Sequence, residues 1–81
     1  MSKHEKTKEQ VLSGTANANI HFDDLCHLLT RLGFGNRTNG SHHIFSRKGI
    51  PEIINLQPRA DGKAKPYQVK QVALMIKSRN L

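Results

Sequence analysis

A stripe of leucines that is followed directly by a glycine constrains the fold of this chain more than any other sequence feature. Four leucines recur at spacings of three and four residues, the period of one apolar helix face: Leu25, Leu28, Leu29 and Leu32. Gly33 then suits a left-handed helix cap, and Phe34 is placed to fold back onto the last turn. Residues 23–32 are therefore predicted to form a helix that ends sharply and passes into extended chain.

Beyond this helix the pattern changes to short strands separated by turn signals. The dipeptide Asn39-Gly40 is a strong signal for a hairpin with a two-residue loop, because both residue types tolerate a positive φ. Three antiparallel strands are predicted on this basis: residues 34–38, 41–47 and 52–57.

Two further helices complete the predicted fold. Residues 3–13 are rich in helix formers, residues 14–19 form a connector, and Pro66 fits the first turn of a last helix. The predicted class is α+β, with the order α-β-β-β-α, a three-stranded antiparallel sheet covered by two helices on one face, and a short N-terminal helix. Residues 1–20 are predicted to be an N-terminal extension and residues 21–81 the main domain.

Composition favours a small cytoplasmic domain. No apolar run approaches the roughly 20 residues of a membrane span, and the first residues lack the apolar stretch of a signal peptide. The single cysteine, Cys26, cannot form an internal disulfide and is predicted to lie at the edge of the core. We therefore expect no membrane partner.

The positive charge of the chain is confined to its second part. Residues 1–36 carry four basic and four acidic residues, whereas residues 37–81 carry nine basic and two acidic ones, which accounts for the whole net charge of +7. A basic region of this kind is typical of proteins that bind nucleic acid or another polyanion. A basic surface that serves only solubility is the alternative.

Two adjacent histidines follow the predicted hairpin turn. The predicted loop places Arg37 opposite His42, and directly opposed residues share a sheet face. It also places Phe34 opposite Phe45, with His43 on that same side. If the aromatic pair lies in the core, His42 projects outward beside a guanidinium that disfavours the imidazolium. A register shift of one residue would exchange the two histidines.

An outward-facing neutral His42 could act as a general base near neutral pH. It could take the proton of an RNA 2′-hydroxyl, so that this oxygen attacks the adjacent phosphorus. This step needs no metal and no small-molecule cofactor, and the histidines and the cysteine lack the spacing of zinc ligands. The competing interpretation is that both histidines are ordinary strand residues. Basic residues could stabilise the charge on the phosphate: Arg37, Arg47, Lys48, Arg59, Lys63 and Lys65.

A helix that ends in Gly-Phe is followed by a Gly-Ser-His motif, and the segments concerned are Leu28-Leu29-Thr30-Arg31-Leu32-Gly33-Phe34, Arg37 and Gly40-Ser41-His42-His43-Ile44-Phe45. In these residues the chain resembles the HicA toxins of type II toxin–antitoxin systems. The resemblance covers residues 22–79, with Gly33, Phe34 and Gly40 as structural positions of the motif. It implies a fold similar to double-stranded-RNA-binding domains.

The resemblance also implies an activity and a partner. HicA toxins are metal-independent ribonucleases, or mRNA interferases, which block translation until a HicB-type antitoxin binds them. The active histidine of the family directly follows the Gly-Ser pair, which corresponds to His42 here. Many members carry a second histidine after the third strand, where this chain has Leu56-Gln57-Pro58-Arg59. The candidate RNA contacts are Arg37, Ser41, His43, Arg47, Lys48, Arg59, Lys63 and Lys65.

Two other functions remain open at this point. A non-catalytic RNA-binding module would use the same basic surface but would never cut the RNA. A protein-interaction domain would bind RNA weakly and show little response to salt, whereas contacts to phosphates weaken steeply as salt rises.

Overall fold

The computed structural model of the chain describes residues 3–14 and 20–81, and for residues 3 and 4 it describes the backbone only. The rest of the predicted connector, residues 15–19, lies outside the described part. The elements are α1 (Lys3–Ser13), α2 (Phe22–Arg31), β1 (Gly35–Asn39), β2 (His42–Arg47), β3 (Ile50–Leu56) and α3 (Pro66–Arg79). The strands form one antiparallel sheet in the order β1-β2-β3. The predicted α+β class and α-β-β-β-α order are confirmed.

The end of α2 forms the predicted glycine cap. Gly33 has a φ of +94°, and its backbone N–H donates to the Thr30 carbonyl at 3.0 Å. The Phe34 N–H donates to the Leu29 carbonyl at 3.1 Å, and the Phe34 ring is buried. These two bonds satisfy carbonyls that the last turn would leave open, and the buried ring holds the chain as it enters β1.

The hydrophobic core lies between one sheet face and the helices. Its largest fully buried side chains are Phe45, Leu25, Leu28, Leu29, Ile54, Leu56, Val11, Val69 and Val72. Helix α1 packs against α2 and α3 and contributes Val11 to this core. The Lys8 Nζ also donates a hydrogen bond of 2.7 Å to the backbone oxygen of Leu81. The N-terminal helix is thus part of the packed domain.

The hairpin register expected from Asn39-Gly40 is wrong by two residues, because the two-residue loop lies one residue later in the chain. The structure pairs Asn39 with His42 and Arg37 with Ile44, so the two-residue loop is Gly40-Ser41. Gly40 has a φ of +64°, whereas φ at Ser41 is not positive. This is the pattern of a type II′ turn, which needs a left-handed residue only at its first central position. Asn39 therefore stays extended in β1, and a turn centred on Asn39-Gly40 does not form.

The shift changes the partners in β1 but leaves the faces of β2 as expected. Phe45 is fully buried against the helices, and strand alternation then sets the directions of the preceding side chains of β2. His42 therefore faces outward and His43 faces the helices, as predicted. The expected pairing of Phe34 with Phe45 is wrong, because Phe34 precedes the strand and Asn36 opposes Phe45 instead.

Candidate functional site

His42 opens β2 as an exposed side chain held by one hydrogen bond. Its Nδ1 lies 3.1 Å from Oδ1 of Asn55 on β3. A side-chain amide oxygen can only accept a hydrogen bond, so in this arrangement Nδ1 carries the hydrogen. In the neutral ring Nε2 then keeps its lone pair. The site thus presents an oriented imidazole with one nitrogen free to take a proton.

Asn55 reaches His42 because of the side-chain alternation along β3. Ile54 and Leu56 are buried on the helix side of the sheet, so Asn55 points to the outer face. Asn55 also pairs with Ile44 in the register between β2 and β3, which brings it beside the start of β2. The alternation Ile54-Asn55-Leu56 was the sequence signal that could have identified Asn55.

A second side-chain bond ties the hairpin turn to the end of β3. The Gln57 Nε2 donates to the Ser41 Oγ at 3.1 Å. Ser41, predicted to contact RNA, therefore lies in the turn directly before His42, with its hydroxyl already accepting one bond. Together with the bond between His42 and Asn55, this contact fixes the start of β2 against the end of β3.

Gln68, on the buried side of α3, binds the backbone of both Asn55 and Gln57, the two residues whose side chains contact His42 and Ser41. Its side chain is only 5% exposed. Its Oε1 accepts from the Gln57 backbone N–H at 3.2 Å, and its Nε2 donates to the Asn55 backbone carbonyl at 3.4 Å. Because β3 is an edge strand, these are backbone groups that no neighbouring strand pairs. Gln68 precedes Val72 by one helical turn, and this spacing could have placed it on the buried face.

These side chains line a shallow cleft of about 260 Å³ at the end of the sheet. Its lining residues are His42, Asn55, Gln57, Tyr67 and Gln68. Sequence reasoning identified only the histidine among them. Tyr67, in the first turn of α3, is 66% exposed and adds an aromatic surface to a cleft that is otherwise polar.

His43 occupies the opposite face of the sheet. Its ring meets the Phe22 ring of α2 edge-on, with 4.9 Å between ring centroids. Its Nδ1 is buried and has no hydrogen-bond partner. The two adjacent histidines therefore differ completely in surroundings, and His43 does not share the cleft with His42.

Two predicted basic residues lie on the His42 side of the structure. Arg37 is exposed on the outer face and lies diagonally across the hairpin from His42. The Cα atoms of diagonal neighbours in an antiparallel pair are about 7–8 Å apart. Arg37 does not oppose His42 directly, so the expected face-to-face pair of guanidinium and imidazole is absent. Lys65 is the N-cap of α3, two residues before Tyr67. Arg37 thus shares the outer face with His42, and Lys65 lies two residues from Tyr67, which lines the cleft.

Arg59 and Lys63 lie in the loop between β3 and α3, where Asp61 engages both. An Asp61 carboxylate oxygen lies 3.2 Å from an Arg59 guanidinium nitrogen, and the Lys63 backbone N–H donates to the other oxygen at 3.1 Å. The Lys63 ammonium is not used in this contact. The loop is also pinned to the residues before α2, because the Ala64 N–H donates to the Ile20 carbonyl at 2.8 Å.

Arg47 and Lys48 are not brought to the cleft. They lie at the far end of β2, and the five residues from His42 to Arg47 correspond to about 17 Å of strand. The Arg47 side chain folds over Gly33, where a Cβ would lie 3.3 Å from the Arg47 Nε. These two residues form a separate basic region, together with the ion pair between Arg79 and Glu52.

The structure gives Cys26 a packing role. It is half-buried at the edge of the core, as predicted. Burial, and then the nearby charge of Asp23, raise the pKa of the thiol to about 12, so it stays protonated at neutral pH. Over residues 3–14 and 20–81, no three His, Cys, Asp or Glu side chains cluster as a possible metal site. No helix in this described part is long and apolar enough to cross a membrane.

Comparison with known proteins identifies one family. A family model described as "HicA toxin of bacterial toxin-antitoxin" matches residues 22–78. The matched region contains α2, the whole sheet, nearly all of α3 and every residue of the cleft. Searches of curated proteins and of solved structures give no match.

Proposed function

Because the chain belongs to the HicA toxin family, and is thus the toxin of a toxin–antitoxin system, we propose that it is a metal-independent endoribonuclease. It would cleave mRNA in the cytoplasm and so block translation. The observation that carries this proposal is the exposed His42 imidazole, whose Nδ1 is held by the Asn55 amide oxygen while Nε2 is free to accept a proton.

The proposed reaction begins when Nε2 of His42 takes the proton of a ribose 2′-hydroxyl. The O2′ atom attacks the adjacent phosphorus, the bond from phosphorus to O5′ breaks, and O5′ leaves with a proton from solvent. The products are a 2′,3′-cyclic phosphate and a 5′-hydroxyl. In the imidazolium intermediate, the Nδ1–H group keeps its hydrogen bond to the Asn55 Oδ1 atom. His42 then releases the proton on Nε2 to solvent.

The basic residues divide into two roles in this proposal. Arg37, which shares the outer face with His42, and Lys65, two residues before Tyr67, would stabilise the charge that builds on the reacting phosphate. Lys48, Arg59 and Lys63 would hold phosphates farther along the strand, and the same role is proposed for the exposed part of Arg47. Ser41 would contact the RNA through its hydroxyl. His43 is not included, because it packs against Phe22 on the helix side.

We also propose that the antitoxin is of the HicB type and that an acidic segment of it covers His42 and the surrounding cations. Opposite electrostatic potentials steer such pairs together and favour this mode of inhibition. RNA and antitoxin are then expected to compete for one face of the toxin. A ternary complex in which both bind at once would contradict this part of the proposal.

The nuclease proposal is tested by incubating RNA with purified protein in excess chelator. We expect His42→Ala to lower the cleavage rate by about 10²- to 10⁴-fold while RNA binding is retained, because a general base contributes about that much. His27→Ala is the matched control, since His27 is an exposed histidine of α2 that does not line the cleft. The 3′ ends of the products are expected to carry 2′,3′-cyclic phosphate.

The same assay separates the enzyme from a non-catalytic RNA-binding module. Equal cleavage by wild type and His42→Ala would contradict the assigned role of His42. A wild-type protein that binds RNA but leaves it intact under all conditions would contradict the nuclease itself.

A further inference from the structure

Tyr67 is the one aromatic residue of the chain that the fold leaves on the surface. The sequence contains three phenylalanines, one tyrosine and no tryptophan. Phe22, Phe34 and Phe45 are all at most 5% exposed in the core, whereas Tyr67 is 66% exposed. Exposure alone does not mark a side chain as functional, since Ile53 and Leu74 are exposed to a similar degree; Tyr67 differs from them because it lines the cleft that contains His42.

The position of Tyr67 is set by its neighbours on α3. Pro66 opens the helix, Gln68 binds the backbone of β3, and Val69 is fully buried in the core. The backbone of Tyr67 is therefore anchored on both sides while its ring stays in solvent. The ring lines the same cleft as the His42 imidazole. An exposed aromatic ring on an anchored backbone thus lines the same cleft as the proposed proton acceptor.

We propose that Tyr67 is a stacking surface for an unpaired base next to the scissile phosphate, so that the substrate class is single-stranded RNA. This inference rests on the proposed ribonuclease function and specifies its substrate. Aromatic side chains that bind single strands stack on the faces of bases, and this contact tolerates any sequence. Lys65, at the N-cap of the same helix, is placed to contact the backbone of the stacked nucleotide.

An RNA duplex does not fit this arrangement. In A-form RNA the base faces are covered by their neighbours, and proteins recognise the duplex by its shape, its 2′-hydroxyls and its phosphates. A ring that protrudes beside His42 has no exposed base face to contact on a duplex. The resemblance stated from the sequence implies a fold similar to double-stranded-RNA-binding domains, but the cleft carries a feature suited to single strands.

The test measures RNA binding by the full chain, with His42→Ala as the parent so that the probe is not cut. The first probe is a short single-stranded RNA. The second is a series of the same RNA in which each position in turn is made abasic, and the third is the duplex of this RNA with its complement. Tyr67→Ala removes the ring and Tyr67→Phe retains it. Leu74→Ala is the matched control, because Leu74 is 59% exposed on the same helix but does not line the cleft.

We expect Tyr67→Ala to weaken binding of the single strand by about 5- to 150-fold, the loss that corresponds to one stacked base. Tyr67→Phe and Leu74→Ala should bind like the parent, and duplex binding should not change. One abasic position should weaken binding to the parent but have no further effect on Tyr67→Ala. Unchanged single-strand binding by Tyr67→Ala, or an equal loss for the duplex, would overturn the inference.

The outcomes also separate this inference from the nuclease proposal. Tyr67-dependent binding of single strands by a protein that never cuts RNA would support the stacking role and refute the nuclease. If cleavage depended on His42 but not on Tyr67, and Tyr67→Ala bound RNA like the parent, the nuclease proposal would be supported and the stacking role refuted. If Tyr67→Ala lost only affinity for the antitoxin, the ring would be a partner contact and the stacking role would be refuted.

Discussion

The two faces of the sheet give adjacent histidines opposite surroundings. On the outer face His42 is exposed, and its Nδ1 is bonded to Asn55 at 3.1 Å. On the helix face His43 packs against Phe22, and its Nδ1 is buried without a partner. The same side chain therefore acts as an oriented polar group at one position and as an aromatic packing element at the next.

The comparison shows that the outer face depends on the helix side for its geometry. The Asn55 side chain orients His42, while the Asn55 backbone is held by Gln68, which α3 presents from the buried side. The core thus supports the cleft through the edge of β3 as well as through the pairing of the strands.

The largest expected effect lies on the helix face. Phe45→Ala should lower the free energy of unfolding by about 3–5 kcal/mol, because Phe45 is fully buried and its truncation leaves a cavity. The neighbouring Ile44→Ala should cost less than about 2 kcal/mol, since Ile44 is only half-buried on the outer face. Urea denaturation measures both. Equal losses in the free energy of unfolding for the two variants would contradict the exposure of the outer face at Ile44.

The next effect concerns the link between the two faces. Gln68→Met keeps the volume but leaves the β3 edge groups without partners, so we expect a loss of about 1–3 kcal/mol in the free energy of unfolding. RNA cleavage should also fall, because Asn55 and Gln57 lose their positions. Gln71→Met is the matched control, since Gln71 is exposed on the same helix. Reduced stability with unchanged cleavage would show that Gln68 supports the fold but not the site.

The smallest effect lies far from the cleft, at the ion pair between Glu52 and Arg79. Hydrogen bonds from Arg79 hold the pKa of the Glu52 carboxyl below its ordinary value. The stabilisation is therefore present above the unfolded-state pKa and is lost as pH falls through the lowered folded-state pKa. Glu52→Gln should lower Tm slightly at neutral pH and low salt, and the difference should vanish in acid and in high salt. A difference that persists in acid would assign the effect to packing.

Much of the fold could be predicted because its signals are local. The leucine stripe and the Gly33-Phe34 cap specify α2, and Pro66 marks the start of α3 within a few residues of sequence. The hairpin register could not be predicted, because the segment Asn39-Gly40-Ser41 is compatible with two turn types. Phe45 nevertheless placed the two histidines on the correct faces, since burial of one strand residue determines the direction of its neighbours.

The polar part of the site was largely missed because its contacts are not local. Asn55 and Gln68 are 13 residues apart and meet only because α3 lies along the edge of β3. The helical period places Tyr67 opposite the apolar positions of α3, such as Val69 and Val72, but it does not show that the exposed ring lines a cleft with His42. Charge clustering likewise did not reveal that Arg47 and Lys48 lie at the far end of β2 from His42.

The central claim is that the outer histidine performs chemistry and the inner one packs. Its most direct test is the single-turnover rate of RNA cleavage for two matched variants, His42→Phe and His43→Phe, each shown to be folded by circular dichroism. We predict that His42→Phe is slower than wild type by about 10²- to 10⁴-fold. His43→Phe should retain the wild-type rate, since it keeps a ring against Phe22, and His43 faces away from the cleft with its Nδ1 buried without a partner. Equal rates for the two variants, or a loss confined to His43→Phe, would contradict the account.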